Sequence, residues 1–447
     1  MSATPSSPPA IIGPDDAGYD EARTAWNLAA DLRPAGIATA TSAEQVAAVV
    51  AEARGRGLRV APVGTGHRAA ALPDLSDSIL LWTRIEPKVV VDASSRRVRV
   101  GAGTTWTDVV AALAPHGLAG MSGSAGDVGV IGYLLGGGLS WLGRKHGLAA
   151  ESVRSFEVVL PDGRIATASP DEEPDLFWAL RGGGGSLAIV TAVELEAIEL
   201  EEVYAGASIW AGEHAPEILR RWHDWTRTAP ETVTTSGRLL RLPPLPDIPE
   251  PLRDRPLVAI DGASLGGEAD ARVLLDPLRE VAEPLLDTWG PLPPSRLVEI
   301  HMDPPMPVPG IGHHAMLGEL DDTALDAFVQ VAGPDSGSPL LMAELRQLGG
   351  ALARPGEGCG RLDGAFCLFG VGMPMDPAMA PAITEHAQRL VEAMEPWATG
   401  AYLNFAERGG DAADLYDDET YARLRVTRGA TDPGELLVAS HPIPVAA

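Results

Sequence analysis

Three glycine-rich loops carry the first chemical signal in this 447-residue sequence. Gly64-Thr65-Gly66-His67-Arg68 follows the apolar run Leu58 to Val63, and the runs Gly136-Gly137-Gly138 and Gly182 to Gly185 lie further along. Glycine tolerates positive φ and lets backbone N–H groups close on a ligand, so such loops can cradle anions. Turns and close packing are the plainer use of the same residues. No Gly-x-Gly-x-x-Gly opens a helix after a strand with an acid about 20 residues on, and no Walker loop is present. Rossmann and P-loop modes of nucleotide binding are therefore excluded.

Other groups compete for a role. Gly262-Ala-Ser264-Leu-Gly266 lies between an apolar strand and a helix, the context of a hydrolase nucleophile elbow, with Ser264 as nucleophile and His386 or His441 downstream. The surrounding chain is Pro-rich and lacks the further strand–helix units such a sheet needs. His301, His313 and His314 have no carboxylate or cysteine at metal-ligand spacing, and are expected to be solvent-exposed loop histidines. Glu344 and Arg346, just before Gly349-Gly350, form either a salt bridge or part of a reactive site. Cys359 and Cys367 make neither a disulfide framework nor a metal signature.

The elements that would position these groups follow from periodicity. Thr41 and Glu44 have capping-box spacing, Val46, Val49, Val50 and Ala53 recur at helical intervals, and Gly55 and Gly57 end that helix. Strand, turn and strand occupy Lys88 to Gly103, where Val98 and Val100 alternate with arginine, and a helix runs from near Thr105 to Gly117. Phe156 to Leu160, Ala188 to Val193, Arg238 to Leu242, Leu257 to Ile260, Phe366 to Val371 and Tyr402 to Phe405 read as strands. Leu274, Leu278, Val281 and Leu285 mark one amphipathic helix, and a polar helix lies near Glu419 to Arg428. The pattern is α+β rather than strict strand–helix alternation.

Composition bounds the rest. With 61 acidic against 34 basic residues the net charge is −27, a field that repels phosphate backbones and anionic lipid, so nucleic-acid and membrane partners are not expected. No apolar run of 18 residues is present. The start, Met1 to Pro9, lacks the basic region and apolar core of a secretory leader, and a cytoplasmic protein is expected. Residues 1–30 read as a poorly ordered arm.

Several ordered pieces together carry a resemblance. They are Val60-Ala-Pro-Val-Gly-Thr-Gly-His67, Val98-Arg-Val-Gly-Ala-Gly103, Asp127-Val-Gly-Val-Ile-Gly-Tyr-Leu-Leu-Gly-Gly-Gly138, Arg144-Lys-His-Gly-Leu148, Asp175 to Gly185, Tyr402-Leu-Asn404, Asp432-Pro433 and His441-Pro-Ile. In order and spacing the chain resembles the vanillyl-alcohol oxidase superfamily, nearest the berberine bridge enzyme-like oxidases.

The resemblance implies a two-subdomain PCMH-type FAD-binding domain plus a substrate domain with an antiparallel sheet and helices. The implied division is an arm over 1–30, an FAD-binding domain over 31–203, a substrate domain over 204–402, and a C-terminal return over 403–447. Implied cofactor contacts are Gly64, Thr65, Gly66, His67, Arg68, Gly126, Asp127, Val128, Gly129, Gly132, Gly136, Gly137, Gly138, Ile189 and Asn404. His67 would be the single covalent attachment to the flavin 8α carbon, because Ala125 stands where relatives with a second link have cysteine.

Tyr402 and Asn404 are the implied catalytic pair. Phe405 replaces a tyrosine common there, and His301, Asp303, His313, His314, Glu344 and Arg346 are further candidates for the base. Val128 stands where a small residue goes with O₂ access, which implies an oxidase. Its substrate would be a small alcohol, hemiacetal, amine or natural-product intermediate, with H₂O₂ released. Trp289, Met302, Met306 and Met316 could line an apolar pocket. The alternatives within the fold are a flavin oxygenase, a dehydrogenase or a non-catalytic flavin binder. Oligomeric state is not legible.

Overall fold

The computed structural model describes residues 9–246 and 248–446; the first eight residues of the arm lie outside it. Over residues 9–30 the arm is packed, not loose. Ile12 bridges Ile37, Trp82 Nε1 donates to Ala22 O at 2.8 Å, and Ala25 is buried against Ile37, Ala61, Leu80 and Trp82. Scattered apolar residues in this acidic stretch therefore suffice to anchor it.

Three parallel strands, β1 (Gly36–Ala40), β2 (Arg59–Val63) and β3 (Ser78–Thr83), pair in the order β1-β3-β2. The helix Ala43–Arg56 joins the first two. Its cap is one residue later than the spacing suggested: Ser42 accepts from Gln45 N, while Gln45 Oε1 accepts from Thr41 N at 2.8 Å. Gly57, at φ 67°, ends it, and Gly55 stays inside.

A five-stranded antiparallel sheet follows, from β4 (Val89–Asp92), β5 (Arg97–Gly101), β7 (Val153–Val159), β8 (Ile165–Ala168) and β9 (Ile189–Glu196), ordered β4-β5-β9-β7-β8. Short strands β6 (Leu118–Ala119) and β10 (Ile198–Glu199) pair beside it. One apolar core joins this sheet to the helix Ala43–Arg56.

The largest sheet has nine strands: β11 (Val203–Ala211), β12 (Val233–Arg241), β13 (Pro256–Ser264), β14 (Leu286–Asp287), β15 (Gly290–Leu292), β16 (Ile311–Leu317), β17 (Met342–Gln347), β18 (Phe366–Gly372) and β19 (Ala398–Gly400). Its order is β14-β11-β13-β12-β17-β18-β16-β19, with β15 on β11, and its strand pairs are antiparallel. Leu239, Ile260, Leu345 and Leu368 from one face pack under the helices Ala215–Thr226, Gly267–Arg279, Asp322–Ala332 and Ala380–Ala393. Because side chains alternate along a strand, the residues between them turn to the opposite face. That face holds the polar groups described next.

The C-terminal segment returns to the first sheet. Leu437 bridges Val60 in parallel, and buried Arg428 ties it down through Asp432 and the carbonyls of Ser186 and Leu437. Tyr402 to Phe405 is not a strand. The strand ends at Gly400, and Leu403–Phe405 is a tight turn. The turn aims Asn404 at the glycine run. No described helix is long and apolar enough to cross a membrane.

Candidate active site between the glycine loops and the large sheet

The first loop closes against the second. Gly129 N donates to Thr65 Oγ1 at 3.3 Å, and Gly66, at φ 87°, has Ala25 where a Cβ would stand. Trp26 lies flat on His67 with ring centroids 3.8 Å apart, and its Nε1 donates to Asp127 Oδ2 at 2.6 Å. His67 Nε2 is buried with no hydrogen-bond partner and faces Asp127 Oδ1 at 3.5 Å. Burial pushes the imidazole pKa down against the pull of Asp127, favouring the neutral ring. Val128 accepts from Trp106 N through its carbonyl, Gly126 sits against Thr107, and Gly132 is exposed on the helix Val130–Leu135. Ile189 opens β9 inside the first core.

The glycine run meets the C-terminal turn. A Cβ on Gly136 would strike Asn404, whose Nδ2 donates to Tyr133 O at 2.9 Å and to the Tyr402 hydroxyl at 3.1 Å. Gly137 and Gly138 take φ of 100° and 79°, and Leu148 and Tyr133 leave no room there for a side chain. Tyr402 is 4% exposed, and burial pushes its phenol well above the ordinary range. Burial thus favours the neutral phenol, whose oxygen accepts from Asn404 Nδ2.

Across from this turn, the register of the large sheet builds two rows of side chains. Asp261 pairs with Ser236, Ser236 with Arg346, and Arg346 with Cys367. In the next row Arg238 pairs with Glu344, Glu344 with Phe369, and Phe369 with His314. Arg346 Nε donates to Glu344 Oε1 at 2.7 Å, Arg238 Nη2 lies 2.7 Å from Asp261 Oδ2, and Arg346 covers the faces of Trp141 and Phe405. His301 completes the group, with Nδ1 2.8 Å from Asp303 Oδ1 and Nε2 3.5 Å from Glu344 Oε1.

The electrostatics of this cluster set its protonation. Burial and Arg238 push His301 down, but Asp303, Asp261 and Glu344 outweigh them and raise it to about 9. Burial would raise Glu344, but Arg346 and His301 hold it at about 2. Three cations then balance three carboxylates. His301 and His314 are thus buried rather than exposed loop histidines, at 2% and 7% exposure. Register explains His314, which lies on the inner face of β16; Tyr402 N donates to its Nε2 at 2.9 Å. Arg238, Asp261 and Trp26 escaped the sequence reading. The readable signal for the first two was an ionisable residue inside an apolar strand.

Other expected residues lie apart. Ser264 ends β13 fully buried, and its hydroxyl donates to Gly267 O at 2.9 Å, so it is a strand-end tie and not an exposed nucleophile. His386 contacts Val331 O and Arg389, and His441 contacts Arg68 and Ser440. Met302 and Met306 are exposed, whereas Trp289 stacks near Tyr204 and Met316 packs beside Tyr402, so the four do not form one pocket.

Between loop and sheet lies a set of buried polar atoms without partners: His67 Nε2, Arg68 Nε, His314 Nδ1 and Glu407 Oε2. Burial lowers Arg68 to about 10 and His314 to about 3, and raises Glu407 to about 7. Unmet donors and acceptors in one interior region call for a polar ligand. Gly64 and Gly185 have no atom within 4 Å of a would-be Cβ, which leaves room for it. These groups fit a ligand that both donates and accepts hydrogen bonds.

Residues 34–169 match the family described as FAD binding domain. This part of the chain is similar to an FAD-binding domain. The (R)-6-hydroxynicotine oxidase of Paenarthrobacter nicotinovorans is 35% identical to this chain over 202 residues, 45% of this chain and 44% of the relative. The chain thus matches less than half the length of that curated relative. A crystal structure of 6-hydroxy-D-nicotine oxidase from Arthrobacter nicotinovorans superposes with a TM-score of 0.84 at 24% identity, over 98% of both chains. BBE-like 1 of Physcomitrella patens superposes with a TM-score of 0.83 at 19% identity, over 98% of this chain and 97% of that one. The chain shares its fold with both.

Proposed function

We propose that the flavoprotein is an FAD-linked oxidase of small organic molecules bearing an oxidisable C–H beside an oxygen or nitrogen. Bound FAD would supply a hydride acceptor at N5, with O₂ taking the electrons on to H₂O₂. The observation that carries the reading is the union of an FAD-binding domain with a buried, charge-balanced cluster on the facing sheet. Asn404 and Tyr402 fix one wall by hydrogen bonds. Glu344, ionised across the physiological range, accepts the substrate O–H or N–H proton as hydride departure makes that proton acidic. The His301–Asp303 contact leads from Glu344 to the edge of the site, where the Asp303 side chain is 25% exposed.

The cofactor is held, in this reading, by one covalent bond at His67. In support, Ala125 stands at the place of a second linking cysteine. Cys359 is buried against the carbonyls of Ala179 and Arg181, and Cys367 is buried in the sheet row of Arg346, where burial pushes its thiol up to about 12. The test is a visible spectrum, acid precipitation and intact mass. Flavin retained in the precipitate, one FAD of added mass, and peroxide release on a turned-over alcohol or amine are expected. A colourless protein that takes up no FAD would overturn the reading, and oxygen incorporated into product would make the protein an oxygenase.

A further inference from the structure

Resting on the attachment of FAD at His67, we propose that Trp26 and Asp127 are positioning residues that fix the plane and the tautomer of the His67 ring, so that Nδ1 is the atom that bonds to the cofactor. The geometry is a closed triangle. The Trp26 indole stacks on the imidazole with an interplanar angle of 18°, and its Nε1–H holds one oxygen of Asp127 at 2.6 Å. The other Asp127 oxygen faces His67 Nε2 at 3.5 Å. Nε2 is buried and meets no acceptor outside Asp127, whose carboxylate and backbone both draw a ring proton, so in the neutral ring its proton is best placed toward that residue. The Nδ1 lone pair is then free. A hydrogen bond on one ring nitrogen deciding what the other does is general histidine chemistry, and such contacts shorten once a site is loaded.

Trp26 is itself held from both sides. Trp26 N donates to Thr65 O at 3.1 Å, and Asn27 clamps Gly310 through two side-chain bonds of 3.0 Å. The arm therefore delivers the indole to His67 as part of the folded site.

The bond-forming step balances as follows. With FAD bound, Nδ1 would form the bond to the 8α carbon, the proton lost from that carbon would leave to solvent, the imidazole Nε2 proton would pass to Asp127, and the electron pair of the broken C–H bond would stay on the ring system. Deprotonation of the methyl group precedes addition of the ring, and O₂ removes the two electrons afterwards.

Asp127→Asn separates the roles. Because Trp26 Nε1–H needs an acceptor, the new amide oxygen faces Trp26 and the NH₂ faces His67 Nε2. This turns Nε2 into an acceptor and moves the ring proton onto Nδ1. Apoprotein made without riboflavin is incubated with FAD in air, and adduct formation is followed by denaturing intact mass, with bound but extractable FAD measured in parallel. The expected result is adduct formation at least about a hundredfold slower in Asp127→Asn, with FAD still bound. Trp26→Phe, which keeps the stack and loses the indole N–H, should fall between. The aminoacyl-flavin isolated from wild type should be the Nδ1 isomer. Wild-type rates in Asp127→Asn, or an Nε2 isomer in wild type, would overturn the inference. A wild-type protein that binds FAD without any adduct would instead overturn attachment at His67.

Discussion

Arg346 and Glu344 project from the same face of β17, two residues apart, and meet at 2.7 Å with both side chains buried. The pair keeps Glu344 ionised in the resting site. Replacing it by glutamine leaves Arg346 and His301 without their shared anion. Glu344→Gln should lower peroxide turnover at least about a hundredfold, and absorbance should show flavin content within a factor of two of wild type.

The cluster also predicts a pH limb. His301 is raised from 6.5 to about 9, so folding binds its proton more tightly than the unfolded chain does. The stabilisation is whole below pH 6.5 and is lost as pH rises through 9. Urea midpoints should therefore fall between pH 6.5 and 9, and His301→Gln should flatten that fall. An identical slope in the variant would remove His301 as its source.

Ser264 marks the boundary of the hydrolase idea. Its hydroxyl makes one bond, to Gly267 O. Ser264→Ala should cost about 1 kcal/mol of stability, leaving flavin content and peroxide release near wild type. Abolished activity at full flavin content would contradict this.

Arg428 is 1% exposed and pairs with Asp432 at 2.9 Å, and Asp432 in turn accepts from Leu436 N and Leu437 N, each at 2.9 Å. Removing one partner of a buried pair strands the other charge, at about 3–5 kcal/mol. Arg428→Ala should lower the melting temperature and release FAD from a non-linking His67→Ala background. Unchanged melting would show that the pair contributes little.

The strands and the glycine loops were legible because they are local. Alternation in Arg97–Gly101 and the Gly-Thr-Gly-His sequence each fall within a few residues. What escaped was long-range. Trp26 and Asp127 are 101 positions apart, and nothing near either of them announces the contact. His301 and His314 looked exposed because their flanks are rich in proline and glycine, yet a sheet face and a carboxylate cluster bury them. The turn at Leu403–Phe405 is built from residue types that favour strands. Its shape is set instead by Asn404 reaching Tyr133.

Leu437 beside Val60 has a consequence for biosynthesis. As the chain leaves the ribosome, β2 emerges hundreds of residues before the segment that covers it, and the arm that holds Trp26 against His67 relies on Gly310 as well. The early strands can form while their edge is still bare, but the compartment for the cofactor closes only when the last tenth of the chain arrives. Cofactor capture is then a late event, and nascent fragments spanning the glycine loops alone should emerge without colour.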